Sequence, residues 1–317
     1  DNGIGVAAAM AILADKSVVH PPLEVLVTVD EETGMYGAFA LEGGLLQGKI
    51  LLNLDSEAEG ELYVGCAGGV DTTAKFAYTP VEVEEGDVAV KVSVTGCKGG
   101  HSGCDINLQR ANANKLLFRF LKEAVANYEA RLASVEGGSL RNAIPREASA
   151  IITIPAEGID EIMDLVAEFE DLFVAEYDGV EDNIHFVAEQ VECPKMELPE
   201  DVQDFLIHAI IACPHGVYRV IPEMPDVVET SNNLAMLSTA DNCVTVCCLT
   251  RSSVESRKEE LQEIIHSVFA MAGAEVEFSG SYPGWKPNFK SHILDVMKQT
   301  YQTKYGIDPR VIIIHAG

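Results

Sequence analysis

Carboxylates stand where strands are expected to end in this sequence. Leu23 to Val29 (LEVLVTV) runs into Asp30-Glu31-Glu32, and Lys49 to Leu54 (KILLNL) runs into Asp55-Ser56-Glu57. Asp1 directly precedes the glycine-rich start of a helix, where another strand would end. Ligands of an open parallel sheet bind beyond the carboxyl ends of its strands. Acids gathered there would repel and raise one another's pKa values, and a divalent cation or a pair of cations would relieve the crowding. Each position also has a plainer reading. Asp1 before Asn-Gly suits a turn or a helix N-cap, and Glu31-Glu32 suit a first helical turn through the macrodipole. Three such sites at one rim bring a metal site level with the plainer readings. His101, within Gly99-Gly-His-Ser-Gly103, is placed for an imidazole facing a ligand, with an ordinary loop histidine as the alternative. Gly65 to Gly69 lacks the lysine of a phosphate loop and the G-x-G-x-x-G spacing, so nucleotide binding is discounted.

The elements that must position these residues alternate at first. Gly3 to Ala14 reads as a helix of small residues, Leu23 to Val29 as a buried strand, Met35 to Leu46 as a helix and Lys49 to Leu54 as a second strand. Continuous apolar strands separated by helices predict an α/β domain, a parallel-rich sheet with helices on both faces. After Gly69 the pattern changes. Val88 to Val94 alternates with period two, Asn107 to Ala130 and Ile159 to Tyr177 are amphipathic, and Ala148 to Ile154 reads as a strand. Helices over 199–213 and 256–272 and strands over 242–249 and 275–279 complete an α+β region of antiparallel sheet. A last helix (292–304) and strand (310–315) return to the opening style. The expected organisation is a catalytic α/β domain (1–68), an inserted α+β lid or dimerisation domain (69–282), and a return segment of the catalytic domain (283–317).

Composition narrows the partners. The 317 residues hold 22 Lys and Arg against 50 Asp and Glu, a formal charge of −28, which repels nucleic acid and anionic membranes and favours cations or amines. Hydrophobic residues at 47% are enough for a sizeable core. No apolar run reaches the roughly 18 residues of a membrane span. Eight cysteines without a C-x-x-C pair are expected to be reduced thiols of a cytoplasmic protein.

At the acidic motifs the sequence resembles a known family. Asp1-Asn-Gly-Ile-Gly, the Asp30-Glu31-Glu32-Thr-Gly turn, Asn53-Leu-Asp55-Ser-Glu57 and Gly99-Gly-His101-Ser-Gly103 are similar to the di-zinc peptidases that include aminoacylases and carboxypeptidase G. Gly65-Cys-Ala-Gly-Gly69, Leu140-Arg-Asn142-Ala-Ile-Pro-Arg146-Glu, Tyr282-Pro-Gly-Trp285 and Ile314-His-Ala-Gly317 resemble the bacterial branch that cleaves Xaa-His dipeptides. The resemblance implies two Zn2+ ions, with Asp1 bridging them, Glu32 a ligand of one and Asp55 a ligand of the other. It implies Glu31 as general base. It implies that His101, on the lid, stabilises an oxyanion in a neighbouring subunit's active site, and that Asn142 and Arg251 hold the substrate's carboxylate or carbonyl. A small peptide substrate and a homodimer through the inserted domain follow from the same resemblance. The family's histidine ligands, one from a His-x-Asp motif upstream of Asp1 and one downstream of His315, are not in these residues. The chain, which opens without Met, is therefore expected to be cut at both ends, and alone to bind zinc weakly and have little activity. Related alternatives are a tripeptidase, an N-acyl amino acid deacylase, and a non-catalytic paralogue that dimerises through the lid.

Overall fold

The computed structural model describes residues 2–30, 35–56 and 58–316. Among them, in chain order, run α1 (Gly3–Ala14), α2 (Tyr36–Phe39), β1 (Glu61–Cys66), β2 (Gly68–Ala77), β3 (Val81–Glu82), β4 (Asp87–Thr95), β5 (Gly100–His101), α3 (Ala113–Asn127), β6 (Arg131–Gly137), β7 (Ala143–Ile144), β8 (Ala148–Pro155) and α4 (Ile159–Glu176). There follow β9 (His185–Val191), β10 (Met196–Glu197), α5 (Glu200–Ala212), β11 (Gly216–Ile221), β12 (Met224–Ala240), β13 (Cys243–Ser252), α6 (Glu255–Met271), β14 (Glu275–Tyr282), α7 (His292–Tyr305) and β15 (Arg310–Ile314). Two compact units divide the chain: 1–63 with 289–312, and 64–288 with 313–317.

In the first unit, α1 begins where Asn2 Oδ1 accepts from Gly5 N–H at 2.8 Å, an N-cap that the helix's alanine-rich run needs. Two expectations are corrected here. The helix expected over 35–46 is a single turn, Tyr36–Phe39, and the chain beyond it passes through Gly43-Gly44, with Gly44 in the left-handed region (φ 87°). Residues 23–29 and 49–54 belong to no strand among the described residues. An apolar run becomes a strand of a parallel sheet only with neighbours to bond on its flanks, and Val25, Val27, Val29, Ile50, Leu51 and Leu52 stay exposed.

The second unit is built on a nine-stranded sheet in the order β14-β2-β13-β12-β6-β8-β4-β9, with β11 paired to β12. Its pairings are antiparallel throughout. Two stretches repeat one topology. β4-α3-β6-β8-α4-β9 gives the spatial order β9-β4-β8-β6, and β2-α5-β12-β13-α6-β14 gives β14-β2-β13-β12. Each is a β-α-β-β-α-β split unit. Alternation explains the buried face. Val90, Val92 and Val94 of β4 are fully buried while Lys91, Ser93 and Thr95 face a wetter side. Helices α3 and α4 cover the first half, where Phe120, Phe169, Phe173 and Phe186 pack edge to face at centroid distances of 5.0–5.7 Å. Each fully buried Phe contributes on the order of 1.5–3 kcal/mol of burial. Phe76 of β2 and Phe269 of α6 meet at 6.2 Å in the second half, and one continuous core spans both.

Candidate substrate-binding site

His101 is held more firmly than a glycine-rich loop suggests. It lies in β5, which pairs with β7, His101 opposite Ala143 and Gly100 opposite Ile144. Its backbone N–H donates to Asp105 Oδ2 at 2.8 Å, and Asp105 N–H returns a bond to its carbonyl. The ring Nδ1 accepts from the backbone N–H groups of Gly103 and Cys104, both at 3.1 Å. With two donors aimed at Nδ1, the neutral ring carries its proton on Nε2. Burial and the charge of Arg251 push the His101 pKa down, Asp105 opposing, so the ring stays neutral near pH 7. Gly103 is required by a close approach: a Cβ there would lie 2.0 Å from the His315 carbonyl.

Arg251, at the end of β13, is 4% exposed. Its Nε donates to Ser102 Oγ at 3.2 Å and its Nη1 to Tyr282 OH at 3.0 Å. Register explains the placement, because β2 brings Gly69 opposite both Arg251 and Tyr282. No carboxylate is within ion-pair distance of Arg251 among the described residues. Asp71, whose pKa burial raises against the pull of Arg141 and Arg251, is paired with Arg141 at 3.7 Å. A buried guanidinium whose partners among the described residues are hydroxyls can receive an anion, since uncompensated buried charge is costly.

The next strand adds residues that sequence reasoning missed. Ser231 of β12 lies opposite Arg251, and its Oγ is 2.7 Å from Nε2 of His315. His315 is 7% exposed. Its pKa is pushed down to about 3 by burial, then by the charges of Arg251 and His101, so this ring too is neutral. The 138–147 segment is tied to the same strand: Asn233 Nδ2 donates to the carbonyls of Arg141 and Ala143 at 3.0 and 2.8 Å. Asn142 sits there with its side chain exposed and its carbonyl accepting from Ser102 N–H at 2.8 Å. The structure thus gathers His101, Ser102, Asn142, Arg251, Tyr282, Ser231 and His315 through a chain of bonds. His315 and Tyr282 stand in motifs quoted above but carry no local signal of this role, which arises from register.

Of the acidic set, Asp1, Glu31 and Glu32 lie outside the described residues. Asp55 is exposed, its backbone N–H bonded to Asn53 Oδ1 at 2.9 Å and its carboxylate unspent among the described residues, which suits a metal ligand. One oxygen donor does not make a centre, and no group of three or more His, Cys, Asp or Glu among the described residues is placed to hold an ion.

Comparison with known proteins agrees with the site's character. Residues 92–181 match the family described as the peptidase dimerisation domain. The chain is 43% identical over all 317 residues to the cytosol non-specific dipeptidase of Escherichia coli (strain K12), of which it covers 65%. It superposes with a TM-score of 0.96 and 45% identity on the crystal structure of aminoacylhistidine dipeptidase from Vibrio alginolyticus, covering all of this chain and 65% of that one. The α/β class with an inserted dimerisation domain, expected from sequence, is borne out by that superposition.

Proposed function

From a chain that is homologous throughout its length to these dipeptidases and carries a peptidase dimerisation domain, we propose a metal-dependent dipeptidase whose substrates have a free amino end, with Xaa-His peptides among them. The observation that carries the reading is Arg251, a buried cation whose bonded partners are hydroxyls and which has no carboxylate at ion-pair distance among the described residues. The terminal carboxylate of a dipeptide is the anion that fits. It would bond to the guanidinium, with the exposed amide of Asn142 beside it. The Nε2–H of neutral His101 would donate to the carbonyl oxygen as negative charge develops there.

Asp1, Glu32 and Asp55 would hold two divalent ions, zinc by resemblance, which supply water of lowered pKa and polarise the scissile carbonyl. Glu31 would take the proton of the attacking water and pass it to the leaving amine. The protein would act in the cytosol, like its relative, and as a homodimer, consistent with its dimerisation domain. No helix among the described residues is long and apolar enough to cross a membrane. The test is hydrolysis by the full-length protein. An Xaa-His dipeptide should be cleaved, the corresponding acetylated amino acid should not, and Glu31→Gln should abolish turnover with metal still bound. Full activity in that variant would reject the base.

A further inference from the structure

His101 lies in a segment that leaves the large sheet after β4 and regains a long element only at α3. One carboxylate from outside that segment holds both of its ends. Glu181 Oε2 accepts from the Lys98 backbone N–H at 2.7 Å, and Oε1 accepts from the Ala111 backbone N–H at 2.9 Å. Glu181 is 9% exposed. The Lys98 ammonium turns elsewhere, to the Val180 carbonyl at 2.6 Å and Asp182 at 2.8 Å. Both oxygens of Glu181 are therefore taken by backbone amides. Its negative charge adds to burial in pushing the Cys97 thiol up to about 12.

Glu181 is itself fixed to the core. Its N–H donates to the Tyr177 carbonyl at 2.9 Å, at the end of α4, the helix that buries Phe173. Inside the segment the bonds run on to His101. Arg110, next to Ala111, donates Nη1 to the carbonyl of Gly99, next to Lys98. Its Nη2 lies 3.7 Å from Asp105 Oδ1, and Asp105 Oδ2 accepts from the His101 N–H. A Cβ on Gly100 would meet Arg110 Nη1 at 2.5 Å and Asp105 Oδ2 at 2.7 Å, so these groups close without slack. The β5–β7 pairing and the Ser102–Asn142 bond tie the middle of the segment, but to another loop, 138–147.

We infer that Glu181 is a positioning residue: by clasping the Lys98 and Ala111 amides it sets where the Nε2–H of His101 points. The carboxylate acts through the histidine and meets no substrate. The role of His101 is taken from the dipeptidase reading above. Two N–H donors facing two acceptors require a carboxylate, and bonds to an ionised acceptor are roughly twice as strong as neutral ones. Glutamine has the same shape, but it would turn an NH2 group toward one of the donors. Aspartate keeps the charge and is one methylene too short to span both amides.

A double-variant cycle on the full-length protein tests this. A misplacement of about 1 Å can cost on the order of 10²-fold in rate. Glu181→Gln should lower kcat for a dipeptide by about 10- to 100-fold, with KM nearly unchanged. It should lower kcat no further when combined with His101→Ala. Equal falls in both backgrounds overturn the inference, and so does an unchanged kcat. Amide exchange followed by mass spectrometry needs no activity. In Glu181→Gln, exchange should quicken over 98–111 and stay as in the wild type in the sheet and α4. Unchanged exchange over 98–111 overturns the clasp. An inactive wild type would reject the dipeptidase reading alone and leave exchange to decide whether Glu181 holds the segment. Glu181→Asp carries the same expectations if Glu181→Gln does not fold. Failure of both to fold overturns the inference, because the carboxylate would then hold the whole unit rather than the segment of His101.

Discussion

Arg251 and Tyr282 are joined by a 3.0 Å bond from the guanidinium to the phenol, and Ser102 takes the adjacent Nε–H. Both partners are neutral. The guanidinium is thereby aimed without being neutralised, and its charge remains for a bound anion. Truncating one member of a buried, hydrogen-bonded charge pair typically costs 2–5 kcal/mol. Arg251→Ala should lower kcat/KM for a dipeptide by that order. Tyr282→Phe, which removes one orienting acceptor, should cost about 1–2 kcal/mol, chiefly in KM.

His101 presents a donor from a ring that two backbone amides hold in one tautomer. Removing an oxyanion donor of this kind costs about 10²–10³ in kcat. His101→Ala in the full-length protein should show that fall with KM nearly unchanged. A rise in KM at constant kcat would reassign His101 to binding.

Gly103 is pressed against the His315 carbonyl. Gly103→Ala should displace that backbone and with it the amide that orients His101. Thermal unfolding should show a lower Tm, and kcat should fall with it. An unchanged Tm would show that the segment accommodates a methyl group.

Histidines held neutral by desolvation set a pH dependence of stability. The pKa values of His215 and His315 are both pushed from 6.5 down to about 3, first by burial. Between those values the unfolded chain takes up protons that the folded chain does not. Stability therefore rises with pH in that window and is lost as pH falls from about 6.5. His215 Nδ1 accepts from Leu234 N–H at 3.3 Å, an acceptor that His215→Asn can replace. Urea unfolding at pH 7 and pH 5 should show wild type losing about 2 kcal/mol more than that variant. Equal losses would mean that His215 is not held neutral.

Much of the second unit was legible in the sequence because its signals are local. The apolar stripe expected over 159–177 is α4, Ile159–Glu176, and the alternation over 88–94 lies within β4, Asp87–Thr95. The runs at 23–29 and 49–54 failed as strands because an apolar run does not carry its own ladder partner. Arg251 was found through its motif, but Ser231 was not, since its place opposite Arg251 follows from the β12–β13 register, which no window of sequence contains. The tautomer of His101 likewise needs the fold, because it depends on where two amides point.

The central claim is that Arg251 reads the substrate's terminal carboxylate, and it is tested by comparing a dipeptide with its carboxyl-terminal amide on the full-length wild type and on Arg251→Ala. The account predicts that amidation lowers kcat/KM sharply in the wild type and little further in the variant. Equal sensitivity to amidation in both proteins would contradict it.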